Sequence, residues 1–145
     1  MIFDGWTMAE SEVRLKKGDK SILWLDREPM GCTPTKRKLE RLGYDVDLVS
    51  NIGEAVDFSS RAGYSLLVVE PYPDYLRTCS EEAITLRDLM ERMNSRGNVM
   101  VFSSQEENWL GDEGIQRGTH YDDARTKPIS PEHLSRLISS YFERS

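Results

Sequence analysis

From Ser21 onward, short apolar runs recur between amphipathic stretches. Ile22-Leu23-Trp24-Leu25, Leu66-Leu67-Val68-Val69 and Val99-Met100-Val101-Phe102 are apolar at every position. Runs this short fall below helix length and suit strands buried on both faces. Tyr44–Val49 behaves differently. There Val46 and Leu48 alternate with Asp45 and Asp47, the period-two signature of a half-buried strand. Ala124-Arg125-Thr126, ahead of Lys127-Pro128, reads as a short last strand.

Helical signals fill the gaps. Thr33-Pro34 reads as a cap with proline in the first turn of a basic helix that stops at Gly43. Asn51-Ile52-Gly53-Glu54 resembles a capping box, opening a helix with Ile52, Ala55 and Val56 on one face and closing at Gly63. Ser80 caps a helix with Ala83, Leu86, Met90 and Met93 at helical spacing, ending at Gly97. A further helix around 106–117 holds Gly111 and Gly114, each costing about 1 kcal/mol relative to alanine, and is predicted to be weak. Ser130-Pro131 caps a last helix whose Leu134, Leu137, Ile138, Tyr141 and Phe142 form an apolar stripe.

Strand and helix therefore alternate five times, which predicts an α/β fold with a five-stranded parallel, doubly wound sheet and helices on both faces. In such sheets chemistry gathers at the carboxyl ends of the strands. Asp26, Glu70, Ser103 and Lys127 each end a strand and so fall along one edge. The proline-rich segment Pro71-Tyr72-Pro73-Asp74 follows Glu70 as a loop. Residues 1–19 are mostly polar and read as a loosely ordered extension, leaving 20–145 as the folded domain.

Composition narrows the function classes. The 145 residues carry a net charge of −6, with 38% hydrophobic and 30% charged residues, an ordinary globular balance. The negative charge disfavours a nucleic-acid surface, and the basic stretches at 14–20 and 36–38 read as solvated faces. No apolar run approaches the ~20 residues of a membrane span, and the first nineteen lack a secretory pattern. Cys32 and Cys79 are too few for a disulfide framework or a paired-ligand metal site, and are expected to be free thiols in a reducing cytoplasm. His120 and His133 stand alone and read as surface residues. Trp24 reads as core. Neither cofactor nor metal is expected. A flavin- or nucleotide-carrying domain is disfavoured because no glycine-rich phosphate loop follows the first strand, where Gly31 is isolated.

Thr126-Lys127-Pro128-Ile129-Ser130-Pro131-Glu132-His133-Leu134, together with Leu25-Asp26-Arg27-Glu28-Pro29, Leu67-Val68-Val69-Glu70 and Val101-Phe102-Ser103-Ser104, resembles the receiver domain of response regulators. The likeness runs from about Ser21 to Phe142 and implies a flavodoxin-like fold, in agreement with the periodicity. It implies phosphoryl transfer to an aspartate after the third strand, beside a magnesium ion held by an acidic pair after the first. A hydroxyl after the fourth strand and a lysine after the fifth would bind the phosphoryl oxygens. Here the acceptor position is Glu70, one methylene too long, and misplacement by about 1 Å can cost about a hundredfold in rate. The second acid of the pair is Arg27, which cannot ligate a cation. Ala124 stands where the family's switching aromatic sits.

These departures predict a degenerate phosphorylation site of Asp26, Arg27, Glu70, Ser103 and Lys127, with Arg27 and Lys127 neutralising Glu70. The expected function is a phosphorylation-independent, non-enzymatic signalling module. It would act on a protein partner, either a histidine kinase, a downstream effector or a second copy of itself. The alternative is a working phosphoacceptor of a two-component system, using Glu70 or Asp74. Resemblance puts the partner surface on the family's last two helices and last strand, and so points to Trp109, Leu110 and Ile115. The contrary expectation is that Trp109 folds back into the core.

Overall fold

The computed structural model describes residues 15–16, 20–71, 81–94, 98–104, 110–111 and 114–143. In chain order its elements are β1 (Leu15–Lys16), β2 (Ser21–Leu25), α1 (Thr33–Arg41), β3 (Asp45–Val49), α2 (Ile52–Arg61), β4 (Ala62–Gly63), β5 (Leu66–Val69), α3 (Glu81–Asn94), β6 (Val99–Ser103), β7 (Asp123–Thr126) and α4 (Pro131–Glu143). A 3-10 turn, Pro29–Cys32, leads into α1.

The main sheet has five strands in the order β3-β2-β5-β6-β7, all parallel. The order reverses between β2 and β5, which is the topological switch point of an open α/β sheet. The wholly apolar strands are buried on both faces because helices cover both. Leu23, Leu25, Leu67, Val69, Val99 and Val101 pack with Ile52 and Ala55 of α2 and with Leu86, Leu89 and Met90 of α3. Their strand neighbours Ile22, Trp24, Leu66, Val68, Met100 and Phe102 turn the other way, onto Leu39 of α1 and Leu134, Ile138 and Tyr141 of α4. The expected double winding is what the structure has.

Local signals hold with two adjustments. Asn51 caps α2 by accepting from the Glu54 amide at 2.8 Å, and Glu54 reaches back to the Ser50 amide and hydroxyl as well as to the Asn51 amide. Thr33 lies inside α1, its hydroxyl on the Pro29 carbonyl at 3.5 Å, because the 3-10 turn winds the chain before the helix opens. The second helix stops at Arg61, and Ala62–Gly63 instead pairs in parallel with Leu15–Lys16, inside the segment expected to be an extension. Ser130 caps α4 as expected, accepting from the His133 amide at 3.1 Å.

The weak helix near 106–117 is the largest departure. Among the described residues only 110–111 are helical. Gly114 has φ +80°, the Gly114 amide donates to the Gly111 carbonyl at 3.1 Å, and the Ile115 amide donates to the Leu110 carbonyl at 2.9 Å. This 6→1 and 5→2 pair is a Schellman termination. The same motif ends α1, where Gly43 has φ +96° and Tyr44 and Gly43 donate to Leu39 and Glu40, both at 3.0 Å.

Candidate functional site

The ladder continues for one residue past three strands and fixes the backbone of the site. Asp26 donates its amide to the Val49 carbonyl at 3.1 Å, Glu70 to the Leu25 carbonyl at 3.0 Å, and Lys127 to the Ser103 carbonyl at 2.7 Å. Three side chains that lie far apart in sequence thereby converge at the switch point.

Lys127 Nζ lies 2.9 Å from Asp26 Oδ2 and 2.5 Å from Glu70 Oε1, so one ammonium bridges two carboxylates. The Asp26 and Glu70 side chains are 1% and 3% exposed, whereas Lys127 is 28% exposed and forms the outer wall of the cluster. The remaining acceptor sites are also filled. Asp26 Oδ1 accepts from the Glu28 amide at 2.8 Å, Asp26 Oδ2 accepts the Cys32 thiol at 3.3 Å, and Glu70 Oε2 accepts the Ser104 amide at 3.2 Å. Lys127 Nζ also sits 5.1 Å above the centre of the Phe102 ring, within cation–π range.

Burial alone would push the Asp26 carboxyl up, but the Lys127 and Glu28 hydrogen bonds, the Lys127 charge and the Cys32 thiol hold it below the usual aspartate value. Burial likewise works against the Lys127 ammonium, and its two carboxylate partners outweigh that and raise it above the usual lysine value. Burial, followed by the Asp26 charge, pushes the Cys32 thiol far up, so Cys32 is a neutral donor here rather than a reactive thiolate.

Of the five residues expected at the site, Asp26, Glu70 and Lys127 are brought together, and Ser103 sits beside them, buried at the end of β6. Arg27 is a correction. It is exposed and is not a partner of the Glu70 carboxylate, whose described partners are Lys127 and Ser104. The Asp26 carboxylate pulls back the Glu28 amide in an Asx-type turn, which leaves the intervening Arg27 directed outward. Cys32, the Ser104 amide and the Phe102 ring were missed from sequence. A backbone donor has no sequence signal, and Cys32 could have been found only by noticing that it opens α1 just after the Asp26 turn.

The surface expected around Trp109, Leu110 and Ile115 is also corrected in part. Leu110 and Ile115 are 1% and 0% exposed and belong to the α2–α3 core cluster. They are the two apolar positions that a Schellman motif brings together, so the helix terminus turns them inward. Trp109 lies outside the described residues, as do Cys79 and 72–74 of the proline-rich loop. His120 is buried, not surface, with Nδ1 accepting the Gln116 amide at 3.0 Å. His133 is exposed as expected.

Among the described residues no group of three acidic, Cys or His side chains converges as a metal site. The Lys127 ammonium already takes the position between the two buried carboxylates. Among the described residues no helix is long and apolar enough to cross a membrane.

No family model matches the chain. It is 25% identical over 130 residues to the alkaline phosphatase synthesis transcriptional regulatory protein PhoP of Bacillus subtilis, covering 88% of this chain and 50% of that protein. It is 25% identical over 125 residues to hybrid signal transduction histidine kinase F of Dictyostelium discoideum, covering 84% of this chain and 11% of that protein. The chain thus spans half or less of these relatives. Among solved structures, a CheY-like response regulator receiver domain protein from Methanospirillum hungatei superposes with a TM-score of 0.65 at 19% identity, over 86% of this chain and 94% of that one. The fold is that of CheY-like receiver domains.

Proposed function

We propose that this chain is a receiver-type signalling module that works without phosphorylation, a non-enzymatic domain whose output is contact with a protein partner. That partner is a histidine kinase, a downstream effector or a second copy of the chain. One observation carries the reading: Lys127 bridges Asp26 and Glu70 in a buried cluster whose acceptor sites are already filled from within the protein. Glu70 stands where the resembled family carries its acceptor aspartate. Its extra methylene takes the carboxylate to Lys127, and an attacking oxygen so engaged is poorly placed for in-line transfer. The same contacts supply from the chain itself what a bound phosphoryl group would otherwise supply, an acceptor for Lys127 at the end of β5.

The test is uptake of phosphate from acetyl phosphate with Mg²⁺, read by intact mass, alongside a beryllofluoride titration followed by amide shifts around Glu70. We expect no adduct and no saturable shift. An adduct that disappears in Glu70→Gln would overturn the reading in favour of a working phosphoacceptor.

A further inference from the structure

Two helices on opposite faces of the sheet present opposite charge to solvent. The chain as a whole is acidic, at −6, yet α1 holds Lys36, Arg37, Lys38 and Arg41 against one acid, Glu40. Lys36 is taken up by Glu40 at 2.8 Å. Arg37, Lys38 and Arg41 make no ion pair with a described residue, and with Pro34 they follow the i, i+3, i+4, i+7 spacing of one helix face. Thr35 and Leu39 are the buried positions of α1, and Arg37 and Arg41 are exposed.

The reverse holds for α3. It carries Glu81, Glu82, Asp88 and Glu91 against Arg87 and Arg92. Leu86, Leu89 and Met90 turn into the core, and Glu81, Ile84, Asp88 and Glu91 are exposed along the outer face. Glu81 and Asp88 make no ion pair with a described residue, and Glu91 approaches the His120 ring at 4.0 Å.

A second observation ties the two faces together. Among the described residues three large apolar side chains are exposed, Met30 at 87%, Leu42 at 55% and Ile84 at 52%. Met30 and Leu42 stand at the two ends of α1, and Ile84 sits within the acidic row of α3. A row of exposed charge by itself is ordinary solvated surface. Exposed apolar side chains set among two rows of opposite sign have the composition of a small polar-rimmed interface.

We propose that α1 of one chain docks against α3 of a second copy of this chain, with Leu42 on Ile84 and the cationic row on the acidic one. In an antiparallel crossing, Arg37 and Lys38 lie about 6–8 Å along α1 from Leu42, and Asp88 lies about 6 Å along α3 from Ile84. The charges therefore meet when the apolar side chains do. Because α1 and α3 cover opposite faces of the sheet, the contact is heterologous and continues from copy to copy as a ring or a filament. The inference rests on the reading of this chain as a module that acts by protein contact, and it names the partner. Glu70 takes no part in it, so phosphate uptake would overturn the phosphorylation-independent role without changing self-association, and the reverse holds too.

Light scattering of the full chain at low salt, over about 0.02 to 1 mM, reads the contact. We expect a weight-average mass that climbs from 16.7 kDa past that of two chains, with a dissociation constant of about 0.1–1 mM per contact. Arg37→Glu and Asp88→Arg are changes at exposed positions, and each alone is expected to weaken association by about tenfold. Asp88→Arg makes the chain less negative, so general repulsion would not explain its loss. The double variant Arg37→Glu/Asp88→Arg keeps the parent's net charge and restores the pair with its signs exchanged. It is expected to associate within about twofold of the parent. A chain that stays monomeric throughout, as it would if the cationic face served an acidic partner of another kind, would overturn the proposal. So would a single reversal without effect, or a double variant no better than the single ones.

Discussion

At the scale of single residues, Lys127 is the most consequential side chain in the molecule. Its ammonium bridges two buried carboxylates. Lys127→Met would remove this ammonium from both carboxylates, and breaking a buried pair by removing one partner costs roughly 3–5 kcal/mol. The low end, about 3 kcal/mol, is expected because Lys127 is 28% exposed and water screens part of the attraction. Urea unfolding at neutral pH reads this. The pH dependence of the parent chain follows from the directions of two shifts. The Asp26 carboxyl is lowered, so its contribution is complete above the unfolded value of about 3.9 and is lost as pH falls through the folded value. The Lys127 ammonium is raised, so its contribution is complete below about 10.4 and is lost as pH rises through the folded value. Stability measured against pH should thus fall more steeply below about pH 4 in the parent than in Asp26→Asn. Parallel acid limbs in the two proteins would show that Asp26 is not held as described.

At the scale of elements, helix ends were read better than helix lengths. Gly43 marks the end of α1 in the sequence and ends it in the structure, with Leu39 and Tyr44 turned into the core. Gly114 does the same for Leu110 and Ile115, but the surrounding run of polar residues hid a termination inside what looked like one weak helix. The two glycines of that segment are therefore not equivalent. Gly114→Ala forces a side chain into φ +80° and is expected to cost about 1–2 kcal/mol. Gly111 has ordinary backbone and open space around its missing Cβ, so Gly111→Ala is expected to be neutral or stabilising by up to about 1 kcal/mol. Thermal unfolding of the two variants checks the pair, and equal effects would contradict the termination. A partner surface that needs Leu110 and Ile115 exposed would have to dismantle this cap first.

At the scale of the whole molecule, the chain by itself determined the layered architecture. Three strands apolar at every position can only be buried on both sides, and the intervening amphipathic helices are what buries them. Parallel strands joined by helices then place all strand ends of one polarity along one edge, so Asp26, Glu70, Ser103 and Lys127 could be gathered from sequence without coordinates. These are consequences of periodicity and connection handedness, which are local and additive along the chain. Only the tertiary structure decided which members of that edge touch. Whether Lys127 or Arg27 meets Glu70 depends on a turn in which the Asp26 carboxylate captures the Glu28 amide, and on angstrom-scale reach across neighbouring strands. The contact of the Ser104 amide with Glu70 is likewise a product of packing between elements distant in sequence. Burial is legible in a hydrophobic pattern because one residue's transfer from water hardly depends on which neighbour covers it. Ion pairing is not, because a charge is satisfied only by a partner at a specific distance and angle, and the fold alone sets both.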